Sequence, residues 1–366
     1  MTPRPLTVVI AGGGTGGHLY PGLAVARALL ARRPDARVSF AGTARGLEAR
    51  VVPPEGFDLD MIRSVGIKGK SLIARLRGAS ILPISFLDAL RVVTRRKPHV
   101  VVGVGGFSSG PIVMMAALRG VPTMVLEQNA IPGLTNRWLA PFVRAAAVTY
   151  DSTLTYFRGR GFVAGNPVRP EFLQSRSERH AADQPPRVLI LGGSQGAHAV
   201  NVAMVATAPE LVRRCPRLEI LHQTGTRDLE MVRDAYRTAG LPARAEPFLD
   251  YVADEMSRAD VVVTRAGATT LAELAALGVP AVLVPFPAAA DDHQRHNAMA
   301  LVQQGAAVLV EEKTLATESG RAAFVDMLVS LTADASKREA MRTAMRSMAK
   351  PDAADVIVTR LLELAA

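Results

Sequence analysis

Apolar positions along this chain come in short runs, and glycine clusters interrupt them. Leu6-Thr7-Val8-Val9-Ile10 is apolar and rich in β-branched residues, which predicts a strand. Ala11-Gly12-Gly13-Gly14-Thr15-Gly16-Gly17-His18 follows as a turn, and after Pro21 the stretch from Gly22 to Leu30 has helical composition. The same order returns at Arg187-Val188-Leu189-Ile190-Leu191, then Gly192-Gly193-Ser194-Gln195-Gly196, then a helix-like stretch from Ala197.

A second pair of segments echoes in the same way. Val100-Val101-Val102 runs into Gly105-Gly106-Phe107-Ser108-Ser109-Gly110-Pro111, a helix ending at Gly120-Val121-Pro122, and a strand Thr123-Met124-Val125-Leu126. Val261-Val262-Val263 runs into Ala266-Gly267-Ala268-Thr269-Thr270, a helix ending at Gly278-Val279-Pro280, and a strand Ala281-Val282-Leu283-Val284. In both, glycine stops the helix and Val-Pro opens the next strand. Strands alternating with helices predict parallel sheets, so the expected class is α/β. The duplication predicts two Rossmann-like, doubly wound domains facing each other across a cleft. A hinge is expected near Gly165-Asn166-Pro167-Val168-Arg169-Pro170. It divides the chain into residues 1–166 and 167–350, with a further helix over 351–366 that carries Val356, Ile357, Val358, Leu361, Leu362 and Leu364.

Composition narrows the class. The 366 residues suit two domains, and 49% hydrophobic against 21% charged residues supplies a core and argues against global disorder. Lys and Arg exceed Asp and Glu by 43 to 33, a formal +10 that suits an anionic partner without choosing among nucleotide, nucleic acid and membrane. Cys215 is the single cysteine, so no internal disulfide forms, which fits a reducing compartment. Met1 to Gly17 does not read as a signal peptide, and no run reaches the ~18 uncharged apolar residues of a spanning helix.

The glycine turns point to phosphate chemistry. Gly12, Gly14 and Gly17 satisfy GxGxxG, where glycine lets backbone N–H groups approach a phosphate at a helix start. A nicotinamide site also needs an acidic residue ending the second strand. Here Val38-Ser39-Phe40-Ala41 runs into Gly42-Thr43, which argues against NAD. No GxxxxGK[ST] run exists, so a P-loop is not supported. His18 closes the first turn and is either a general base or a polar contact. Glu273, early on the helix after Gly267, either accepts both hydroxyls of a ribose or is an exposed helical carboxylate. Asp58-Leu59-Asp60 has the form of a metal-binding Asp-x-Asp clamp, but its alternating context reads as a half-exposed strand. His293 and His296, near Asp291 and Asp292, lack the carboxylate that completes a known motif, and no metal or cofactor is expected.

One flank is both basic and apolar. Lys68, Lys70, Arg75 and Arg77 surround Leu72, Ile73 and Leu76. Ile81-Leu82-Pro83-Ile84, Phe86 and Leu87 follow, then Arg91, Arg95, Arg96 and Lys97. This reads either as an interfacial surface on anionic lipid, at about 1 kcal/mol per cation, or as a core helix with a basic rim. With aromatics at 5% and no stacking motif among the charges, nucleic acid is not an expected partner.

Taken together, Gly13-Gly14-Thr15-Gly16-Gly17-His18, Pro21-Gly22-Leu23-Ala24, Gly105 to Pro111, Glu127-Gln128-Asn129, Gly165-Asn166-Pro167-Val168-Arg169 and Gly192 to Ala197 resemble, in order, the MurG family of bacterial peptidoglycan N-acetylglucosaminyltransferases. The resemblance implies a GT-B fold, with a membrane-facing acceptor domain over 1–166, a UDP-sugar domain over 167–350 and the last helix packing back on the first. It implies an inverting transfer of N-acetylglucosamine from UDP-N-acetylglucosamine to the 4-hydroxyl of the muramoyl residue of lipid I, giving lipid II. It also implies a peripheral location on the cytoplasmic face of the inner membrane and a part in cell-wall synthesis, cell shape and cell division. Position by position, Thr15, Gly16 and Gly17 border diphosphate and sugar, and Gly105, Gly106, Ser108, Ser109 and Gly110 form the acceptor loop. Asn129 and Gln294 hold the donor sugar, and Arg169 and Ser194 contact the nucleotide side. Leu249 meets uracil through its backbone, and Ala268, Thr269, Thr270, Leu271, Ala272 and Glu273 wrap phosphate and ribose. The family often has His before Glu-Gln-Asn, where Leu126 stands here, and the small segment Pro287 to Asp292 bears on the register of Gln294. The rivals are a glycosyltransferase of the same fold with another UDP-sugar or acceptor, and a non-catalytic membrane-docked subunit that binds sugar nucleotide. The joint presence of Gly105–Pro111 with Glu127-Gln128-Asn129 argues against the first, and the second glycine turn with Glu273 against the other.

Overall fold

The computed structural model describes residues 5–64, 72–174, 184–193 and 196–366, with the side chains of 72–80 also outside the description. It divides into two compact units, Met1–Arg169 with Lys350–Ala366, and Pro170–Ala349.

The first unit runs β1 (Thr7–Gly12), α1 (Gly16–Arg32), β2 (Arg37–Gly42), α2 (Glu48–Val51), β3 (Asp58–Met61), α3 (Leu72–Arg96), β4 (Val100–Gly105), α4 (Ser109–Leu118), β5 (Thr123–Glu127), α5 (Leu134–Leu139), β6 (Ala145–Val148) and β7 (Gly161–Val163). Its sheet has the order β3-β2-β1-β4-β5-β6-β7, with every neighbouring pair parallel. Side chains alternate across a strand, and both faces here are apolar because helices cover both. Val8, Ile10, Val100 and Val102 share one core with Leu19, Leu23 and Leu29 of α1. Val9, Ala11 and Val101 face the other core, with Val92 and Val93 of α3 and Ile112 and Val113 of α4.

The C-terminal helix (Ala353–Ala365) buries Ile357, Val358 and Leu361 in the α1 side of this core. Arg32 of α1 donates to the Asp355 carbonyl at 3.2 Å and the Thr359 hydroxyl at 2.7 Å. The chain leaves and re-enters the unit at adjacent points, since a Cβ at Gly165 would lie closer than 3.0 Å to the Lys350 side chain. The division follows Arg169 rather than residue 166: the Arg169 guanidinium stands 4.9 Å over the Tyr20 ring of α1.

The second unit runs α6 (Pro170–Gln174), β8 (Arg187–Leu191), α7 (His198–Arg214), β9 (Glu219–Gln223), α8 (Leu229–Ala239), β10 (Ala243–Glu246), α9 (Val252–Ser257), β11 (Val261–Thr264), α10 (Ala268–Leu277), β12 (Ala281–Leu283), α11 (His293–Gln303), β13 (Ala307–Leu309), α12 (Glu312–Leu315), α13 (Glu318–Ala333) and α14 (Ala335–Ser347). Its parallel sheet has the order β10-β9-β8-β11-β12-β13. Val188, Ile190, Val261 and Val263 pack with Met204 and Leu211 of α7 and Phe324 and Leu328 of α13. Leu189, Leu191 and Val262 pack on the opposite face with Met256 of α9 and Leu271 and Leu274 of α10.

The repeated sequence becomes repeated geometry. Gly120 and Gly278 both take left-handed backbone at their helix ends, φ 74° and 69°. The next residue donates five residues back in each case, Val121 to Ala116 and Val279 to Leu274. The proline then leads into the next strand, accepting from Val101 in one unit and Val262 in the other.

Candidate functional site

In an open α/β sheet the order reverses at one place, and ligands bind outside the strand carboxyl ends there. That place is β1/β4 in the first unit and β8/β11 in the second. All four glycine-bearing turns identified in the sequence leave these four strands.

In the first unit the two turns press together without intervening side chains. Gly12, Gly13 and Gly14 have φ of 141°, 140° and 86°, and Gly105 and Gly106 have 99° and 80°. A Cβ at Gly12 would come closer than 3.0 Å to the Gly105 carbonyl oxygen, and one at Gly106 would do the same to that of Gly13. The His18 ring occupies the space that a Cβ at Gly105 would need, and its Nδ1 lies 3.3 Å from the Thr15 hydroxyl. Thr15 precedes the first turn of α1 and is exposed, while Gly16, Gly17 and His18 are half-buried.

Ser108 precedes α4 and Ser109 begins it, and both are buried. The Ser109 hydroxyl donates to the Gly106 carbonyl at 3.0 Å, while Gly110 lies against Thr135. Glu127 ends β5 and turns inward. It accepts from the Asn129 and Gly133 amides at 3.0 and 2.9 Å and from the Asn129 and Asn136 side chains at 3.3 and 2.9 Å. Burial pushes its carboxyl above the usual range, against the pull of those donors. Gln128 donates to the Val104 carbonyl at 3.0 Å. Of the three consecutive residues only Asn129 keeps part of its surface exposed.

A further residue enters here that the sequence reading did not single out. Glu48, fully buried, accepts from the Gly14 amide at 2.7 Å on one oxygen. Its other oxygen accepts from the Thr43 amide at 2.7 Å and the Thr43 hydroxyl at 3.0 Å. The only hint in the sequence is the glycine spacing around it, Gly42 and Gly46.

In the second unit the described amides of the turn after β8 bond to backbone. The Gly192 amide donates to Gln223 at 3.1 Å and the Gly196 amide to Gly193 at 3.0 Å. Ser194 lies outside the described residues. His198 opens α7, and its Nδ1 lies 2.9 Å from Asp228, which also accepts from Asn201 at 2.8 Å. Burial works to raise the Asp228 pKa, but these hydrogen bonds outweigh it and hold the carboxyl below its ordinary value. Asn201 continues inward to His222, and His222 to the Tyr236 hydroxyl, at 2.9 and 2.7 Å.

The turn after β11 opens α10, with Gly267 preceding the helix and Ala268, Thr269 and Thr270 in its first turn. The first amides of a helix have no intrahelical acceptor, which suits an anion. Leu271 and Glu273 are buried, and Leu249 packs in the same core as Leu271. Gln294 sits at the start of α11 and accepts from the Phe286 amide at 2.9 Å, so its side chain closes the small segment before it.

Other candidates resolve differently. Asp60 pairs with Arg95 and Arg96, and Asp58 with Arg96, so these carboxylates are tied to the end of α3. His293 bonds the Ala290 carbonyl at 2.7 Å. Among the described residues no three His, Cys, Asp or Glu side chains converge to hold a metal. On the basic flank, Leu82, Ile84 and Leu87 are exposed on α3, as are Leu118 of α4 and Trp138 of α5. Lys68 and Lys70, and the side chains of Arg75 and Arg77, lie outside the described residues. No described helix is long and apolar enough to cross a membrane.

Comparison with known proteins agrees with this architecture. The profile of the glycosyltransferase family 28 N-terminal domain matches residues 8–148, and that of the family's C-terminal domain matches residues 187–357. A UDP-N-acetylglucosamine--N-acetylmuramyl-(pentapeptide) pyrophosphoryl-undecaprenol N-acetylglucosamine transferase of Anaeromyxobacter dehalogenans (strain 2CP-C) is 44% identical over 361 residues, which is 98% of this chain and 93% of the relative. The transferase of the same name from Pelobacter propionicus is 43% identical, covering 98% and 99%. The crystal structure of Acinetobacter baumannii MurG superposes with a TM-score of 0.80 at 29% identity, covering 98% of this chain and all of that one. Likeness of this extent, on two Rossmann-like units of the GT-B kind, shows that the chain belongs to glycosyltransferase family 28 and, within it, to the MurG family of N-acetylglucosaminyltransferases.

Proposed function

We propose that this enzyme transfers N-acetylglucosamine from UDP-N-acetylglucosamine to the 4-hydroxyl of the muramoyl residue of lipid I, with inversion at the anomeric carbon, giving lipid II. The observation that carries the reading is the near-full-length identity with transferases named for this donor and acceptor. In one displacement the acceptor oxygen forms a bond to the anomeric carbon while the bond to the UDP oxygen breaks. UDP leaves with the electron pair, through an oxocarbenium-like state. The hydroxyl proton goes to a base, for which His18 is the candidate because it stands at the meeting of both acceptor-side turns.

The second unit takes most of the nucleotide. Helix-start and turn amides, with Ser194 and Arg169, offset the charge growing on the diphosphate. Glu273 accepts the ribose hydroxyls, the Leu249 backbone meets uracil, and Asn129 and Gln294 hold the donor sugar. Gly105 to Gly110 receive the acceptor. The enzyme works on the cytoplasmic face of the inner membrane, with the apolar and basic flank of α3 on anionic lipid, and its product feeds wall synthesis and thereby cell shape and division.

The test is turnover of labelled UDP-N-acetylglucosamine with a lipid I analogue. The expected products are the disaccharide lipid and UDP in equal amounts, and release of free sugar alone would refute the reading. For the membrane, reversing Lys70, Arg75 and Arg77 is expected to weaken binding to anionic vesicles about fivefold per charge. Unchanged sedimentation with vesicles removes that part.

A further inference from the structure

Glu48 is the most heavily enclosed carboxylate near the first glycine turn. Its acceptor contacts are the Gly14 amide, the Thr43 amide and the Thr43 hydroxyl. Three glycines make room for it: a Cβ at Gly13, Gly42 or Gly46 would come closer than 3.0 Å to the Glu48 side chain. Among the described residues no cation pairs with it. A buried charge costs several kcal/mol unless donors compensate it, and an apolar side chain would fill such a space more cheaply. Packing alone does not account for a carboxylate here.

What the carboxylate does is occupy an amide of the turn from inside the protein. In a dinucleotide-binding unit, amides of the corresponding turn meet the cofactor's diphosphate, and that ligand helps to order the turn. Here the Gly14 amide is committed to Glu48 at 2.7 Å. The anchor reaches the turn from α2, beyond β2, and also ties the end of β2 through Thr43. The next residues of the turn are Thr15, Gly16 and, one turn of helix on, His18.

We infer that Glu48 is a positioning residue: an internal anion that fixes the first glycine turn in the conformation that presents Thr15 and Gly16 to the donor sugar and His18 to the acceptor hydroxyl. The inference rests on the proposed function for the importance of that turn to turnover, and on geometry alone for the hold on the turn. It also assigns a chemistry: with Gly14 satisfied internally, the turn is ordered before any ligand arrives.

Three variants test it. Glu48→Gln keeps the shape, but its NH2 faces an N–H donor at one end. Glu48→Asp keeps the charge on a shorter arm. Gly46→Ala keeps the Glu48 residue, has no left-handed backbone to strain, and puts a methyl where the carboxylate lies, so that it must shift. The readouts are kcat and KM for both substrates, the Kd for UDP, and hydrogen exchange of residues 12–18 by mass spectrometry on the full chain. Glu48→Gln is expected to lower kcat by ~10²-fold, as a misplaced catalytic group does, with UDP affinity changed far less than kcat and exchange in 12–18 faster by ~10-fold. Glu48→Asp is expected to recover part of the rate. Gly46→Ala should resemble Glu48→Gln, and the double variant should be no worse than Glu48→Gln alone.

Unchanged exchange in a folded Glu48→Gln, faster exchange with wild-type kcat and KM, or additive effects in the double variant would each overturn the inference. If Glu48→Gln does not fold, Gly46→Ala decides, since it keeps the carboxylate. If the unaltered enzyme fails to transfer sugar to the lipid I analogue, the proposed function falls. The exchange comparison still decides whether Glu48 holds the turn.

Discussion

The turns after β1 and β8 occupy equivalent places in two sheets that share their order over six strands, the first having a seventh, yet they are held by different means. In the first, a buried carboxylate binds the Gly14 amide, and the backbone packs so closely on Gly105 and Gly106 that no side chain fits between. In the second, the Gly192 and Gly196 amides go to carbonyls, and the nearby carboxylate, Asp228, accepts from the His198 and Asn201 side chains instead. Each turn leads into a helix with a histidine in its first turn. His18 is packed against the neighbouring turn, while the His198 side chain is 52% exposed. A turn stiffened from within suits a group that must meet a neutral hydroxyl at a fixed angle. A turn whose described amides, those of Gly192 and Gly196, meet carbonyls rather than a carboxylate suits an anion brought by the substrate.

The strongest test of that contrast is to remove each histidine. His18→Ala is expected to lower kcat by ~10²–10⁴-fold, the usual contribution of a positioned base, with little change in UDP affinity. His198→Ala is expected to change the donor KM by ~10-fold or less and to leave kcat near the wild-type value. Steady-state kinetics over a range of pH, with UDP binding measured by calorimetry, checks both. Equal losses would break the comparison, and wild-type turnover in His18→Ala would move the base elsewhere.

Adding one methyl to each turn separates them next. Gly106 and Gly193 both have left-handed backbone, φ 80° and 75°. At Gly193 a Cβ meets nothing within 4 Å, so alanine should cost only the conformational penalty of ~1 kcal/mol. At Gly106 the methyl also strikes the Gly13 carbonyl, which cannot rotate away, and the expected loss is ~3 kcal/mol with loss of turnover. Urea unfolding of the two variants reads the difference directly.

The sequence carried this architecture unusually far because the features that define it are local. Runs such as Val100 to Val102, and glycines at helix ends such as Gly120 and Gly278, punctuate strand and helix within a few residues. A duplicated pattern then yields a duplicated fold. The switch points were legible for the same reason: each glycine turn directly follows its strand. What stayed hidden depends on partners distant in sequence. Glu48 reads as an ordinary helical glutamate until the fold brings Gly14, 34 positions away, onto it. Asp228 lies 30 positions from His198. Asp58 and Asp60 look like a metal clamp only while Arg95 and Arg96 are out of view. Glu127, in the motif that carried the resemblance, turned out to organise the backbone around Asn129 from within.

Acid should also distinguish the units. His222, buried in the second, is pushed from 6.5 down to about 3 by burial, with the Asp228 charge working the other way. In the unfolded chain it takes a proton near pH 6.5. Its contribution is therefore complete above that pH and is lost as pH falls towards 3, at up to ~1.4 kcal/mol per pH unit. Glu127 in the first unit has the opposite sign: its carboxyl is raised above 4.5, so the folded state takes the proton first and gains as pH falls into that window. Asp88, held near 2 chiefly by hydrogen bonding from Arg63, supports the first unit down to about pH 3.8 and loses its contribution only below. Between pH 7 and 5, hydrogen-exchange protection should fall in β8 and β9 and hold in β4 and β5. His222→Gln should flatten the decline in the second unit. A simultaneous decline in both units would show that this distinction does not govern their acid response.

The smallest effect is expected from one hydroxyl beside each turn. Thr43 donates to the Glu48 carboxylate at 3.0 Å, and Thr224 donates to the carbonyls of Gly225 and Glu246 at 2.9 and 3.3 Å. Replacing either with valine removes a hydrogen bond worth ~1 kcal/mol and keeps the shape, so the stability losses should be alike. Their kinetic consequences should differ, because only Thr43 acts on the carboxylate that holds the first turn. Thr43→Val is expected to lower kcat by ~5-fold, and Thr224→Val to leave it unchanged, since its bonds end on backbone of the nucleotide-side unit. Matched stability with unmatched kcat would tie turnover to the internal anion rather than to the general firmness of the fold. Matched kcat would mean that the two turns, for all their different anchors, are equally tolerant.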